Sequence, residues 1–357
     1  MGAHRFPYDW RLADGYPAAG IEPHGCTVFG TFVCGGGSTM GYKLAGFRHL
    51  GGVEIDPRAA EVYRANHAPE MLFVEDLRAF NARAALPSDL YDLDVLDGSP
   101  PCSTFSMAGS RENAWGKEKR FREGQAKQTL DDLVFVYCET VEKLRPRVFL
   151  MENVAGLTRG NASAYCFRIF RRLTEAGYRI QAFSLNAANM GVPQSRQRTF
   201  FIGLRDDLAQ SLPRLNPCVS EPTIPFGDVC DDADTAPNLC PSVAALWAKR
   251  RSGDLNLADV CKRERGRDSF FNYALALRDR VCPTVCANNC ITRFDLPRSL
   301  NARELLRVSS FPSDYKAPAN VLSFYCGMSV PPVMMAHVAS AIYEQWLKPL
   351  KEGNPKT

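Results

Sequence analysis

The sequence predicts an α/β fold, a mostly parallel sheet with helices on both faces, joined to a smaller, loop-rich domain. Three observations predict it. Short apolar runs alternate with amphipathic stretches from residue 26 to about residue 204, as in parallel strands joined by helical crossovers. A glycine turn, Gly35-Gly36-Gly37, separates the first apolar run from the first helical stretch. After residue 205 the periodicity dissolves into a region dense in prolines, cysteines and charges, and regular patterning returns only near residue 302.

The expected organisation is an N-terminal arm over 1–24, a large domain over 25–205, a second domain over 206–300, a return segment with a C-terminal helix over 301–347, and a tail over 348–357. In the large domain, strands are expected at 27–33, 50–55, 72–74, at a run ending in Val95-Leu96, and at 148–151, 178–185 and 199–204. Helices are expected at 39–45, 57–66, 130–144 and 164–176, and beyond the second domain at 302–308 and 332–346.

Composition narrows the class. The chain has 357 residues, 45% hydrophobic and 23% charged, the balance of a soluble globular protein. No apolar run approaches the roughly 18 residues of a membrane span. The opening Met-Gly-Ala-His-Arg-Phe-Pro lacks the apolar core of a secretory signal, so a cytoplasmic protein with no membrane partner is expected. The net charge of +4, from 43 basic and 39 acidic residues, does not by itself indicate nucleic acid. Thirteen cysteines, an odd number in a chain this long, read as free thiols. Cys282, Cys286 and Cys290 fall four apart, but no Cys-x-x-Cys pair or nearby histidine supports them, so no metal site is expected.

The stretch from Asp97 onward, Asp-Gly-Ser-Pro-Pro-Cys-Ser-Thr-Phe-Ser, carries the most chemical information. Two prolines stiffen the backbone before Cys102. The apolar run upstream sets this cysteine at a strand's C-terminal edge, where open α/β sheets place ligands. A thiolate there is a candidate nucleophile; the alternative is an inert buried thiol. Glu54 ends the second strand 19 residues after Gly35, where a carboxylate can accept bonds from ribose hydroxyls. Asp76 ends the third and could accept from an adenine amino group. Either carboxylate could instead be solvated, and the glycine turn fits the dinucleotide spacing poorly. The combination points to an adenosine-containing ligand without a pyrophosphate. Glu152, after the apolar strand Val148-Phe149-Leu150, has its neutral form favoured by burial and could donate a proton to a ring nitrogen; otherwise it caps a helix or forms an ion pair. Arg196 and Arg198 alternate along an extended segment and so share a face, suiting a phosphate or a carbonyl oxygen. Between residues 109 and 127, basic side chains interleave with Trp115 and Phe121, which suits nucleic-acid contact or a loop that closes over a substrate.

In this order, with Glu152-Asn153-Val154, Gln194-x-Arg196-x-Arg198 and Gly-Met-Ser-Val-Pro-Pro at 327–332, these blocks resemble the DNA cytosine-5 methyltransferase family. The resemblance covers 26–205 and 298–347, nearly two thirds of the chain. It implies a Rossmann-like S-adenosylmethionine-dependent methyltransferase sheet, with a target-recognition region over 206–297. It implies cofactor contacts from Phe32, Gly35, Gly36, Gly37, Glu54, Ile55, Asp76, Pro101, Met328 and Ser329. Cys102 is then the nucleophile, Glu152 the group at ring nitrogen 3, Arg198 the group at the cytosine carbonyl, and Arg196 its support, with Ser103, Asn153 and Gln194 on the substrate side. Three positions depart from the family: Ser103 replaces a usual glutamine, Cys34 a glycine and Met328 an asparagine.

The implied partner is duplex DNA, bound by a monomer in a prokaryotic or phage setting, with a companion restriction endonuclease as a further candidate partner. An RNA cytosine-5 methyltransferase of the same fold is the alternative, distinguished by comparing methyl transfer to duplex DNA and to tRNA. A catalytically silent DNA-binding relative would have no need of Cys102, Glu152 and Arg198 together. A nicotinamide-dependent oxidoreductase is disfavoured by the dinucleotide spacing.

Overall fold

The computed structural model describes residues 4–16, 20–101, 133–154, 162–232, 238–266, 269–270, 273–288 and 290–353. The chain divides into two compact units. The larger comprises Tyr16–Leu185, Gln197–Cys218 and Met335–Thr357; the smaller comprises Met1–Gly15, Asn186–Arg196 and Val219–Met334.

The larger unit is built on a seven-stranded sheet of β1 (Thr27–Thr31), β2 (Arg48–Glu54), β3 (Met71–Val74), β4 (Val95–Gly98), β5 (Val148–Val154), β6 (Tyr178–Asn186) and β7 (Gln197–Arg205). Their order is β3-β2-β1-β4-β5-β7-β6. β1 pairs in parallel with β2 and β4, as do β2 with β3 and β4 with β5, whereas β7 runs antiparallel to β5. Strand order reverses between β1 and β4, which opens a crevice beyond their C-terminal ends, the ligand position in doubly wound sheets. Helices α1 (Gly37–Leu44), α2 (Pro57–His67), α3 (Leu77–Ala82), α4 (Leu133–Leu144) and α5 (Ala162–Glu175) follow β1 to β5. Val148, Phe149, Leu150 and Met151 are all buried, as expected of a strand covered on both faces. The core gathers Phe29, Leu50, Phe80, Leu96, Tyr137 and Phe149 among others.

Several element ends differ from the expected ones. β1 stops at Thr31 because Phe32 and Cys34 turn to positive φ (56° and 46°). β5 extends through Glu152 and Asn153, which therefore lie within the strand. α3 was not anticipated. It is short, and its N-cap is Asp76, whose carboxylate accepts from the Arg78 N–H at 2.7 Å. Asp76 therefore stabilises a helix start rather than standing as a solvated carboxylate.

α6 (Asp206–Ala209) follows β7 in the larger unit. The smaller unit holds α7 (Pro241–Trp247), α8 (Leu257–Arg265), the short parallel pair β8 (Leu275–Ala276) and β9 (Thr292–Arg293), α9 (Ala302–Val308) and α10 (Leu322–Met328). Val243, Leu246, Leu257, Val260, Cys261 and Leu275 form a core of their own. The region expected to be loop-rich thus contains helices with sequence signals. Asn256 and Asp259 make a reciprocal capping box at the start of α8, and Gly266 closes it with φ 60°.

The return to the larger unit occurs at Met335, within α11 (Pro332–Ile342), not at residue 301. The reason is electrostatic. Glu304 on α9 is fully buried and pairs with Arg293 at 3.0 Å and Arg298 at 2.8 Å, which pins α9 to the strand segment before it. By length and composition alone the stretch Ala319–Glu352 could cross a membrane, but 78% of its apolar window is buried inside the protein.

Candidate active site

Two loops flank the crevice of the larger unit, one after β1 and one after β4. The first is fastened by Glu54 at the end of β2. Its carboxylate accepts the Cys34 N–H at 2.8 Å and the Asp56 N–H at 2.9 Å. Burial pushes this carboxyl above its usual range, and the backbone donors pull it back down. Each carboxylate oxygen has two acceptor positions, so Glu54 holds the loop and keeps capacity for a ligand hydroxyl. Gly36, at φ 79°, is the N-cap of α1. A Cβ there would overlap the His67 imidazole, whose Nε2 donates to the Gly35 carbonyl at 3.2 Å. Phe32 packs at the margin of the core, and Ile55 is partly buried.

The second loop leaves β4 through Gly98, Ser99, Pro100 and Pro101. Asn153, buried on β5, donates from Nδ2 to the Pro100 carbonyl at 3.3 Å and so ties the base of this loop to the neighbouring strand. Cys102 and Ser103 lie outside the described residues, as do 109–127. On β5 and β7, Val154 stands opposite Arg198 and Glu152 opposite Phe200. Glu152 and Arg198 therefore lie on one sheet face in diagonal register, within reach of long side chains. Arg198 Nε is 2.9 Å from Glu152 Oε1, and Arg198 Nη1 donates to the Gln197 carbonyl at 2.8 Å. Of the two readings of Glu152, a buried proton donor or an ion-paired carboxylate, the structure shows the guanidinium partner of the second.

Sequence reasoning missed Asp97. It lies buried on β4 and accepts from the Tyr42 hydroxyl at 3.5 Å. Burial, and then the negative charge of Glu152, push its carboxyl up to about 8. An acidic residue inside the run Val95-Leu96-Asp97-Gly98 was the available signal.

The remaining predicted residues belong to the smaller unit. Gln194 is fully buried: its Nε2 donates to the Val308 carbonyl at 3.1 Å and its Oε1 accepts the Val285 N–H at 3.1 Å. Arg196 donates to the carbonyls of Val285 (2.8 Å) and Gly327 (2.6 Å). Both side chains brace backbone. Arg196 and Arg198, expected to share a face, thus fall in different units with different partners. Ser329 is buried, and Met328 is half-exposed at the end of α10. Cys282 is buried and Cys286 exposed; among the described residues no group of three or more His, Cys, Asp or Glu could hold a metal ion. Several basic residues of the smaller unit have internal partners: Arg263 pairs with Asp254, Lys249 with Glu264, and Arg250 stacks on Trp247.

A doubly wound sheet with an antiparallel β7, a glycine turn after β1 and acidic residues at successive strand ends defines the Rossmann-like methyltransferase class. A prophage-encoded protein of E. coli shares the fold at a TM-score of 0.67 with 18% identity, over 90% of this chain and 99% of that one. The chain belongs to the C-5 cytosine-specific DNA methylase family, whose model matches residues 27–232. The Type II methyltransferase M1.HphI of Haemophilus parahaemolyticus is 27% identical over 88% of this chain and 86% of its own length. Type II methyltransferase M.Sau96I of Staphylococcus aureus is 32% identical over 57% of this chain, a match that spans 44% of the relative.

Proposed function

We propose that this chain transfers a methyl group from S-adenosylmethionine to carbon 5 of cytosine in a specific sequence of duplex DNA. The loop after β1 fits an adenosine ligand: Glu54 retains acceptor capacity at the mouth of the glycine turn. Phe32, Gly35, Gly36, Gly37, Glu54, Ile55, Asp76 and Pro101 are the residues of the larger unit that would hold it. When bound, the cofactor supplies an electrophilic methyl group.

The protein's part is to make carbon 5 nucleophilic. The Cys102 thiolate adds to carbon 6 of the ring, and the double bond shifts so that carbon 5 becomes an enamine carbon. Negative charge moves towards nitrogen 3 and the carbonyl oxygen. Glu152 engages nitrogen 3, and the remaining N–H donors of Arg198 face the oxygen, stabilising charge where it develops. Loss of the carbon 5 proton and expulsion of the thiolate restore the enzyme. A stacked base is out of reach, so the target leaves the duplex, at a cost of a few kcal/mol. The Type II names among the relatives support a companion restriction endonuclease as the expected partner.

The observation that carries this reading is the Glu152–Arg198 pair on the strands beside the tethered Pro100. The test is transfer of labelled methyl groups to duplex DNA and to total tRNA by the parent and by Cys102→Ser. The parent is expected to label duplex DNA. The variant is expected to lose at least about 10³-fold in rate while binding the cofactor as tightly. Near-parental turnover by the variant, or preference for tRNA, overturns the proposal.

A further inference from the structure

Beneath the glycine turn of the larger unit lies a buried polar cluster that the chemistry above does not use. Tyr63 on α2 is fully buried, and its hydroxyl lies 2.7 Å from Thr39 Oγ1 in the first turn of α1 and 2.7 Å from His49 Nε2 on β2. A phenol donates one hydrogen bond and accepts others, so this single oxygen satisfies both partners. Thr39 and His49 are themselves buried. One helical turn further along α2, His67 sets its ring 4.6 Å from that of Tyr63 and holds the Gly35 carbonyl at 3.2 Å. The other end of α2 is fastened to Glu54: the N-cap residue Asp56 donates its N–H to that carboxylate at 2.9 Å. α2 therefore holds both the carboxylate and the glycine turn beside it.

We propose that Tyr63 is a positioning residue for cofactor binding: its hydroxyl bridges His49 on the sheet to Thr39, and so fixes the first turn of α1, with the glycine turn before it, relative to Glu54. The inference rests on the methyltransferase reading above. Tyr63 is wholly excluded from solvent, so it acts through Thr39 rather than by contact with a ligand. Without the hydroxyl, Thr39 and His49 each lose a partner in a place water does not reach, and that cost falls on the folded arrangement of the turn. The first turn of α1 is the part free to move, because β2 is held in the sheet on both sides, by β1 and β3.

Tyr63→Phe keeps the ring and deletes only the bridge. Calorimetric titration with S-adenosylmethionine is expected to show binding weakened about tenfold, the equivalent of one lost buried hydrogen bond. KM for the cofactor should rise by the same factor, while kcat at saturating cofactor and KM for DNA stay within about twofold of the parent's. Thr39→Val, which cuts the bridge from its other end and leaves the Tyr63–His49 bond in place, should weaken binding likewise, and keeps the test open if Tyr63→Phe does not fold. Thr39→Ser restores a hydroxyl and should bind within about threefold of the parent. The double variant should bind no more than about twofold weaker than the weaker single one, because both changes break the same link. Parental affinity in Tyr63→Phe and Thr39→Val, or equal losses in kcat and cofactor affinity, overturns the proposal. Hydrogen exchange reads the bridge without cofactor. The Met40 amide, which donates to the Gly36 carbonyl at 2.9 Å, should exchange at least about tenfold faster in Tyr63→Phe, with the amides of β5 and β7 unchanged; equal rates at Met40 overturn the proposal as well. Failure of the methyltransferase reading would look different, since the parent itself would then bind no S-adenosylmethionine while the exchange difference persisted.

Discussion

Gly36 concentrates two constraints in one residue. Its φ of 79° is strained for any residue with a Cβ, and that Cβ would strike the His67 ring. His67 is fixed in turn: Nε2 donates to the Gly35 carbonyl, Lys43 Nζ donates to the His67 carbonyl at 3.2 Å, and the ring is buried. Nδ1 has no hydrogen-bond partner among the described residues. The imidazole therefore acts as a rigid floor under the glycine turn. Gly36→Ala should cost about 1–3 kcal/mol of stability through backbone strain and collision. It should also weaken cofactor binding by at least about tenfold, because the turn must move away from Glu54. Calorimetric titration with the cofactor checks this; unchanged affinity would show that the turn tolerates displacement. Residue for residue, much of this site was legible in the sequence. Glu54 and Glu152 could be placed because each ends or continues a short apolar run. Asp97 was not, because an acid in such a run reads as the strand's edge unless the facing helices are known.

Among the elements, α9 shows how one side chain determines where a segment belongs. Glu304 accepts from Arg293, from both terminal nitrogens of Arg298, and from the backbone N–H groups of Asp231 and Asn301. Its partners are almost wholly excluded from solvent, at 0% and 3% exposure. Removing the carboxylate leaves two buried guanidiniums short of charge. Arg293 would retain Asp295 and Asp232, whereas among its ion pairs with described residues Arg298 has only Glu304. Glu304→Ala should therefore destabilise the smaller unit by about 3–5 kcal/mol. Denaturant unfolding measures this, and a loss under about 1 kcal/mol would contradict the assigned role. The helix was expected at 302–308, where it occurs, and the structure shows its reciprocal cap between Asn301 and Glu304. Which unit the helix joins was not visible, because that depends on arginines brought together by the fold. α3, α7 and α8 were missed for a simpler reason: at six, seven and nine residues they are too short for helical periodicity to stand out.

For the molecule as a whole, the buried groups make opposing demands on pH. In the larger unit, burial lowers His24 to about 4, and His49 and His67 to about 3. Each stays neutral in the folded state while the unfolded chain binds a proton below about 6.5. Their contribution to stability is therefore complete above that pH and is lost as pH falls. Asp97 works the other way. Its folded carboxyl titrates near 8, so the folded state binds the extra proton, and stability is lost as pH rises from about 4 to 8. Between pH 7 and pH 5 each histidine costs about 2 kcal/mol, and Asp97 acts in the opposite direction. His67→Gln should reduce the loss between pH 7 and pH 5 by about 2 kcal/mol, and Asp97→Asn should flatten the decline from about pH 7 to 8. Urea unfolding at about pH 5, 7 and 8 separates the two contributions. If His67→Gln loses as much stability on acidification as the parent, the imidazole under the glycine turn is not one of the groups that make the fold acid-sensitive.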